Sequence, residues 1–148
     1  MLKYIDELTK EALKGKRVLL RLDLNVPYDE NGITDTYRLE RAIVTVDFLR
    51  EMEAKTIIIA HLENNSGGND SLLSVWNYLN GYFKLDFCPT YFSPEAIEKV
   101  LKIEDKGVLL FFFLRVNAGG KEYDEEFANK LSYFAYMLSV FVIGNMLP

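Results

Sequence analysis

The sequence is poor in the side chains that most often announce a chemistry. Its 148 residues include one cysteine, one histidine, one tryptophan and four prolines. A single cysteine, Cys88, excludes an internal disulfide, and with only one histidine it excludes a zinc site built from Cys and His. Basic charge is also short: 17 Lys and Arg against 22 Asp and Glu leave a formal net charge of −5. Nucleic-acid binding usually needs a basic face, so no nucleic-acid partner is expected. No apolar run reaches membrane-spanning length, and the start Met1-Leu2-Lys3-Tyr4-Ile5-Asp6-Glu7 is charged too early for a signal peptide. A cytoplasmic, reduced chain without a membrane partner is the expectation.

Hydrophobic residues are abundant, at 49% with 14% aromatic, enough for one domain with a substantial core. The run Lys16-Arg17-Val18-Leu19-Leu20-Arg21-Leu22-Asp23-Leu24-Asn25 is apolar at both parities of a strand, as in a parallel sheet covered on both faces. Asp23 and Asn25 fall at its carboxyl end, the edge where open parallel sheets bind ligands. Asp29-Glu30-Asn31-Gly32 signals a turn, and Thr34-Asp35-Thr36 offers capping oxygens. Leu39, Ala42, Ile43, Val46 and Leu49 recur at helical spacing, which predicts a helix from Arg38 to about Met52. Arg38 then opposes the helix dipole in the first turn. From the residues alone it is either a solvated surface cation or a functional one.

Lys55 to His61 is a second buried strand, ending in the lone histidine, which reads as a hydrogen-bonded structural residue or a ligand-binding one. Asn64 to Asp70 is a polar loop with no Gly-Lys-Ser/Thr ending, so it is no P-loop. Ser71 opens a helix with Leu72, Val75, Trp76 and Leu79 on one face, halted at Gly81. Leu85 to Cys88 is a short strand, where Cys88 reads as a small buried residue. Ser93-Pro94 starts a helix running to about Lys102. Gly107 to Arg115 is a further strand, an uncharged window that needs cover. Asp124 can cap a helix carrying Phe127, Leu131, Phe134 and Ala135, and Met137 to Ile143 is the last strand.

The motif Arg21-x-Asp23-x-Asn25-Val26-Pro27, the spacing Asp35-x-x-Arg38, and the dipeptides His61-Leu62 and Leu114-Arg115 together resemble the N-terminal domain of phosphoglycerate kinase. The resemblance implies an α/β fold: a three-layer, Rossmann-like domain, 1–148, with a mainly parallel sheet of about five strands flanked by helices. It also implies that Asp23, Asn25, Arg38, His61 and Arg115 bind 3-phosphoglycerate, with Arg38 the residue that stabilises the phosphoryl group in transfer. Magnesium-nucleotide sits on the family's other domain, so no cofactor is expected on this chain, and catalysis by it alone is not expected.

Several positions depart from the family pattern. Glu63 and Asn64 replace a glycine and an arginine after the histidine. Losing that charge-assisted bond, worth roughly 1.5–3 kcal/mol, weakens an anionic ligand by about one to two orders of magnitude. Phe112 and Phe113 replace an acidic and an amide residue, and Val140 and Phe141 stand where an asparagine and an aspartate belong. Val44 and Glu53 replace a proline and a glycine. The apolar replacements are expected to gather at strand ends as an interface or apolar pocket. That reading makes the chain an engineered or degenerate domain that binds an apolar partner or a second copy of itself. Weak 3-phosphoglycerate binding and a ligand-free folding scaffold are the alternatives.

Overall fold

The computed structural model describes residues 4–62, 68–90, 92–114 and 140–143. The sheet is built on β1 (Arg17–Asp23), whose Val18, Leu19, Leu20 and Leu22 are all withdrawn from solvent. Its parallel neighbour on one side is β4 (Lys55–Leu62), followed by β6 (Val108–Leu114) and β5 (Leu85–Cys88); on the other side lies β7 (Val140–Ile143). The order is β5-β6-β4-β1-β7, every pairing parallel. The uncharged run of β6 is thus paired with β4 along its length and with β5 from Val108 to Phe111.

Both faces of the sheet are covered, as continuous apolar runs in parallel strands require. Val18, Leu20, Leu22, Ile58, Ala60 and Leu110 share one core with α2 (Tyr37–Glu51) and α3 (Gly68–Asn80). The opposite parity, Leu19, Ile57, Ile59, Leu109 and Phe111, packs with Ala96 and Val100 of α4 (Pro94–Lys102). Leu39, Ala42, Ile43, Val46 and Leu49 of α2 are buried, the stripe expected from their spacing. Val44 lies outside that stripe and is exposed, so its bulk adds nothing to the core.

Helix ends follow local chemistry. Ser93 Oγ accepts from Ala96 N at 3.1 Å, and Pro94 occupies the first helical position of α4. At the end of α2, Glu53 N donates to Arg50 O at 3.0 Å and Ala54 N to Leu49 O at 3.0 Å, the paired bonds of a Schellman motif. That motif needs a left-handed residue, and Glu53 supplies it with φ of 59°. The helix α3 begins at Gly68, so Gly68, Asn69 and Asp70, expected in a polar loop, belong to its first turn. Its Trp76 is only partly buried, with Nε1 donating to Leu85 O at 3.2 Å. Cys88 is fully buried, its thiol directed to Thr90 O at 3.0 Å. Before β1, a 3-10 turn (Ile5–Glu7) and α1 (Lys10–Leu13) lie against the domain, with Ile5 and Leu13 in the core. The expected helix after Asp124, together with Met137, Leu138 and Ser139, falls outside the described residues.

Candidate functional site

The carboxyl edge of the sheet is built where β1 stops. Asp23 is its last residue, exposed, while Leu24 just beyond it is fully buried and anchors the exit. The chain then makes a small antiparallel hairpin of β2 (Tyr28–Asp29) and β3 (Gly32–Ile33), closed by Asn31 N donating to Asp29 Oδ1 at 2.7 Å. Gly32 takes a φ of 113°, which an L residue resists. Thr34 N donates to Pro27 O at 3.0 Å and closes the base of the hairpin. This detour carries the chain back to the start of α2, where Asp35 Oδ1 accepts from Tyr37 N at 2.8 Å. Of the three expected capping residues Asp35 makes that bond, while Thr36 Oγ1 bonds to Glu40 Oε1 at 2.7 Å.

The first turn of α2 thereby sets Arg38 over the end of β1. Its Nη1 donates to Asp23 Oδ2 at 2.6 Å and to Asn25 O at 3.2 Å, while Asn25 N donates to Asp23 Oδ1 at 3.0 Å. The Arg38 and Asp23 side chains are 48% and 45% exposed. An ion pair this wet contributes only about 0–1 kcal/mol. Its consequence is orientation: the carboxylate offsets the poor placement of a cation at a helix N-terminus and fixes the guanidinium at the sheet edge.

Backbone register adds His61, opposite Asp23 on β4, and next to it Phe113 on β6. Phe112 pairs with Ala60, one residue further back. Val140 and Phe141 do not join them. They pair with Val18 and Leu19, in the amino-terminal half of β1, and two strands separate β7 from β6. Register thus sets Val140 and Phe141 of β7 back from Asp23. Arg115, Glu63 and Asn64 lie outside the described residues.

A second charged cluster escaped the sequence reading. Glu53 Oε1 meets Lys10 Nζ at 2.7 Å and Oε2 meets Lys14 Nζ at 2.8 Å, tying α1 to the end of α2. The two lysine hydrogen bonds pull the Glu53 carboxyl down to about 2, and the same contact pushes the Lys14 amine up. The two lysines four apart were a visible signal; their partner, distant in sequence, was not.

The model of the family described as phosphoglycerate kinase matches residues 6–143. The chain belongs to the phosphoglycerate kinase family. It is 38% identical over 131 residues to the phosphoglycerate kinase of Orientia tsutsugamushi (strain Ikeda), covering 85% of this chain and 32% of that protein. With the Gloeobacter violaceus enzyme the identity is 36% over 141 residues, covering 90% and 34%. The phosphoglycerate kinase structure from Coxiella burnetii superimposes with a TM-score of 0.69 at 26% identity, over 93% of this chain and 33% of that one. The chain therefore spans about a third of the length of these relatives, corresponding to the N-terminal domain of a phosphoglycerate kinase.

Both Asp23 oxygens already accept hydrogen bonds, one of them from a guanidinium. Among the described residues no group of three or more His, Cys, Asp or Glu side chains converges as a cation site. What the edge can do is hold an anion, with Arg38 as its oriented cation.

Proposed function

We propose that this domain is the 3-phosphoglycerate-binding half of a phosphoglycerate kinase fold, acting in glycolysis in the cytoplasm, and that it binds its acid without completing phosphoryl transfer by itself. The observation that carries this reading is the Arg38 guanidinium held at 2.6 Å from Asp23 on the carboxyl edge of a parallel sheet. Phosphoryl transfer depends on positioning and on charge stabilisation from both reactants' sides, and the described residues supply only the acid's side. Titration with 3-phosphoglycerate by calorimetry tests it. Saturable binding at one site per chain supports the reading; no binding at millimolar acid removes it.

A second reading, self-association, rests on β7. Among the described residues β7 pairs only with β1, so its outer edge has no strand beside it. An uncharged edge strand such as Val140-Phe141-Val142-Ile143 lacks the lysines or prolines that usually discourage pairing. A second copy of this chain is the proposed occupant, and light scattering across a concentration series tests it.

A further inference from the structure

We infer that Asn31 is a site of spontaneous covalent change, its carboxamide closing on the main-chain nitrogen of Gly32 and reopening as aspartate or isoaspartate, while the fold protects the other Asn-Gly pair, Asn80-Gly81. An asparagine carboxamide is attacked most readily when glycine follows, because no Cβ obstructs ring closure. The sequence holds that dipeptide at Asn31-Gly32 and again at Asn80-Gly81. In the step, a bond forms between Gly32 N and Asn31 Cγ, the Cγ–Nδ2 bond breaks, and ammonia departs with the proton that Gly32 N gives up. Water then adds to either carbonyl of the resulting succinimide. Opening on the side-chain side gives aspartate and opening on the main-chain side gives isoaspartate, so that asparagine and water become an acid and ammonia.

The two pairs differ in what holds them. Asn31 lies exposed in the turn between β2 and β3, where its main-chain N–H donates to Asp29 Oδ1 at 2.7 Å. Its carboxamide has no hydrogen-bond partner among the described residues. Beyond the chain neighbours of Gly32, no atom lies within 4 Å of where a Cβ on it would stand, which leaves room for the ring and for the attacking water. Asn80, the last residue of α3, is tied down: its Oδ1 accepts from Leu85 N at 3.0 Å. Gly81 N donates to Asn77 O and Tyr78 O, both at 3.3 Å, and a Cβ on Gly81 would stand 3.3 Å from Tyr78 O. Ring closure at Asn80 must therefore break the helix end and the bond to β5. The Asn31 carboxamide has no such bond to break. Its isoaspartyl product lengthens the main chain beside the Asp29–Gly32 ladder pair, in the hairpin that leads from Asp23 to Arg38.

The test is peptide mapping by mass spectrometry on the folded chain held at mildly alkaline pH and sampled over days, beside the same chain unfolded in guanidinium chloride. In the unfolded chain both Asn-Gly peptides are expected to gain about 1 Da at similar rates. In the folded chain the Asn31 peptide is expected to gain that mass several times faster than the Asn80 peptide, and to become a methyl acceptor for a protein isoaspartate methyltransferase. Asn31→Gln, whose longer side chain closes a larger ring far more slowly, is expected to lose the methyl-accepting signal. An Asn31 amide that survives in the fold while it converts in the unfolded chain overturns the inference. An Asn80 peptide that converts as fast as the Asn31 peptide in the folded chain overturns it as well. The unsubstituted chain alone decides both outcomes, whether or not Asn31→Gln folds.

Discussion

Asp23 and Arg38 are fifteen positions apart in the chain and 2.6 Å apart in space, joined through a hairpin that returns the chain to the sheet edge. The pair holds the guanidinium where an anion approaching the edge would meet it. Replacing Arg38 by alanine is expected to lower 3-phosphoglycerate affinity by about ten- to a hundredfold, the range of one lost charge-assisted hydrogen bond. Arg38→Lys keeps the charge without the planar fork and is expected to fall between the two. Calorimetry on the three proteins measures this, and equal affinity in Arg38→Ala would remove Arg38 from the site.

Local chemistry made much of this architecture legible. The α2 stripe, the Ser93-Pro94 helix start, the Asp29–Gly32 turn and the position of Asp23 at a strand end each follow from residues close in sequence. Register was not legible. Nothing near Val140 or Phe141 states that they pair with Val18 and Leu19 rather than further along β1. An apolar strand satisfies the sheet equally well when slid along it by two residues, because the side-chain period is two. The Lys10–Glu53–Lys14 cluster was hidden for a related reason, since its members meet only after α2 has been laid down beside the N-terminal segment.

The Glu53 clasp makes a pH prediction. Its carboxyl titrates at about 2 in the fold against an ordinary 4.5, held down by the lysine hydrogen bonds. A folded-state value below the unfolded one stabilises the fold above the unfolded value, and that contribution is lost as pH falls. The thermal midpoint of the native chain is therefore expected to exceed that of Glu53→Gln near neutral pH, with the gap closing between pH 4.5 and about 2. The two lysines are exposed enough for salt to shrink the gap as well. Equal midpoints for the two proteins at every pH would show that the glutamate acts through its left-handed backbone and not through its charge.

Thr56 is fully buried on β4, and its hydroxyl has no hydrogen-bond partner among the described residues. A buried polar group without a partner carries a desolvation cost, whereas an apolar group of the same shape does not. Thr56→Val, nearly the same volume, is expected to raise stability by about 1 kcal/mol. Urea unfolding followed by the fluorescence of Trp76, the single tryptophan, reads this directly. A loss of similar size would mean that the hydroxyl is satisfied, for example by an internal water.

The side of β7 away from β1, which has no strand beside it among the described residues, leads to the last prediction. If two chains join there, their sheets become one, and the backbone groups of Val140 to Ile143 find partners without any new side-chain chemistry. The native chain is then expected to change mass with concentration, and 3-phosphoglycerate is expected to leave that change untouched. The proposed acid site is at the carboxyl edge near Asp23, whereas Phe141 is registered back at Leu19. Phe141→Asp places a charge in the uncharged strand and is expected to shift the population to single chains at every concentration. Its Trp76 emission must remain native, because Leu19, the registered neighbour, belongs to the core and a collapsed core would also abolish pairing. A native chain that stays single throughout the series removes the edge as a site of self-association, whatever the variant does. A dimer that dissolves on adding the acid would place the contact at the carboxyl edge instead.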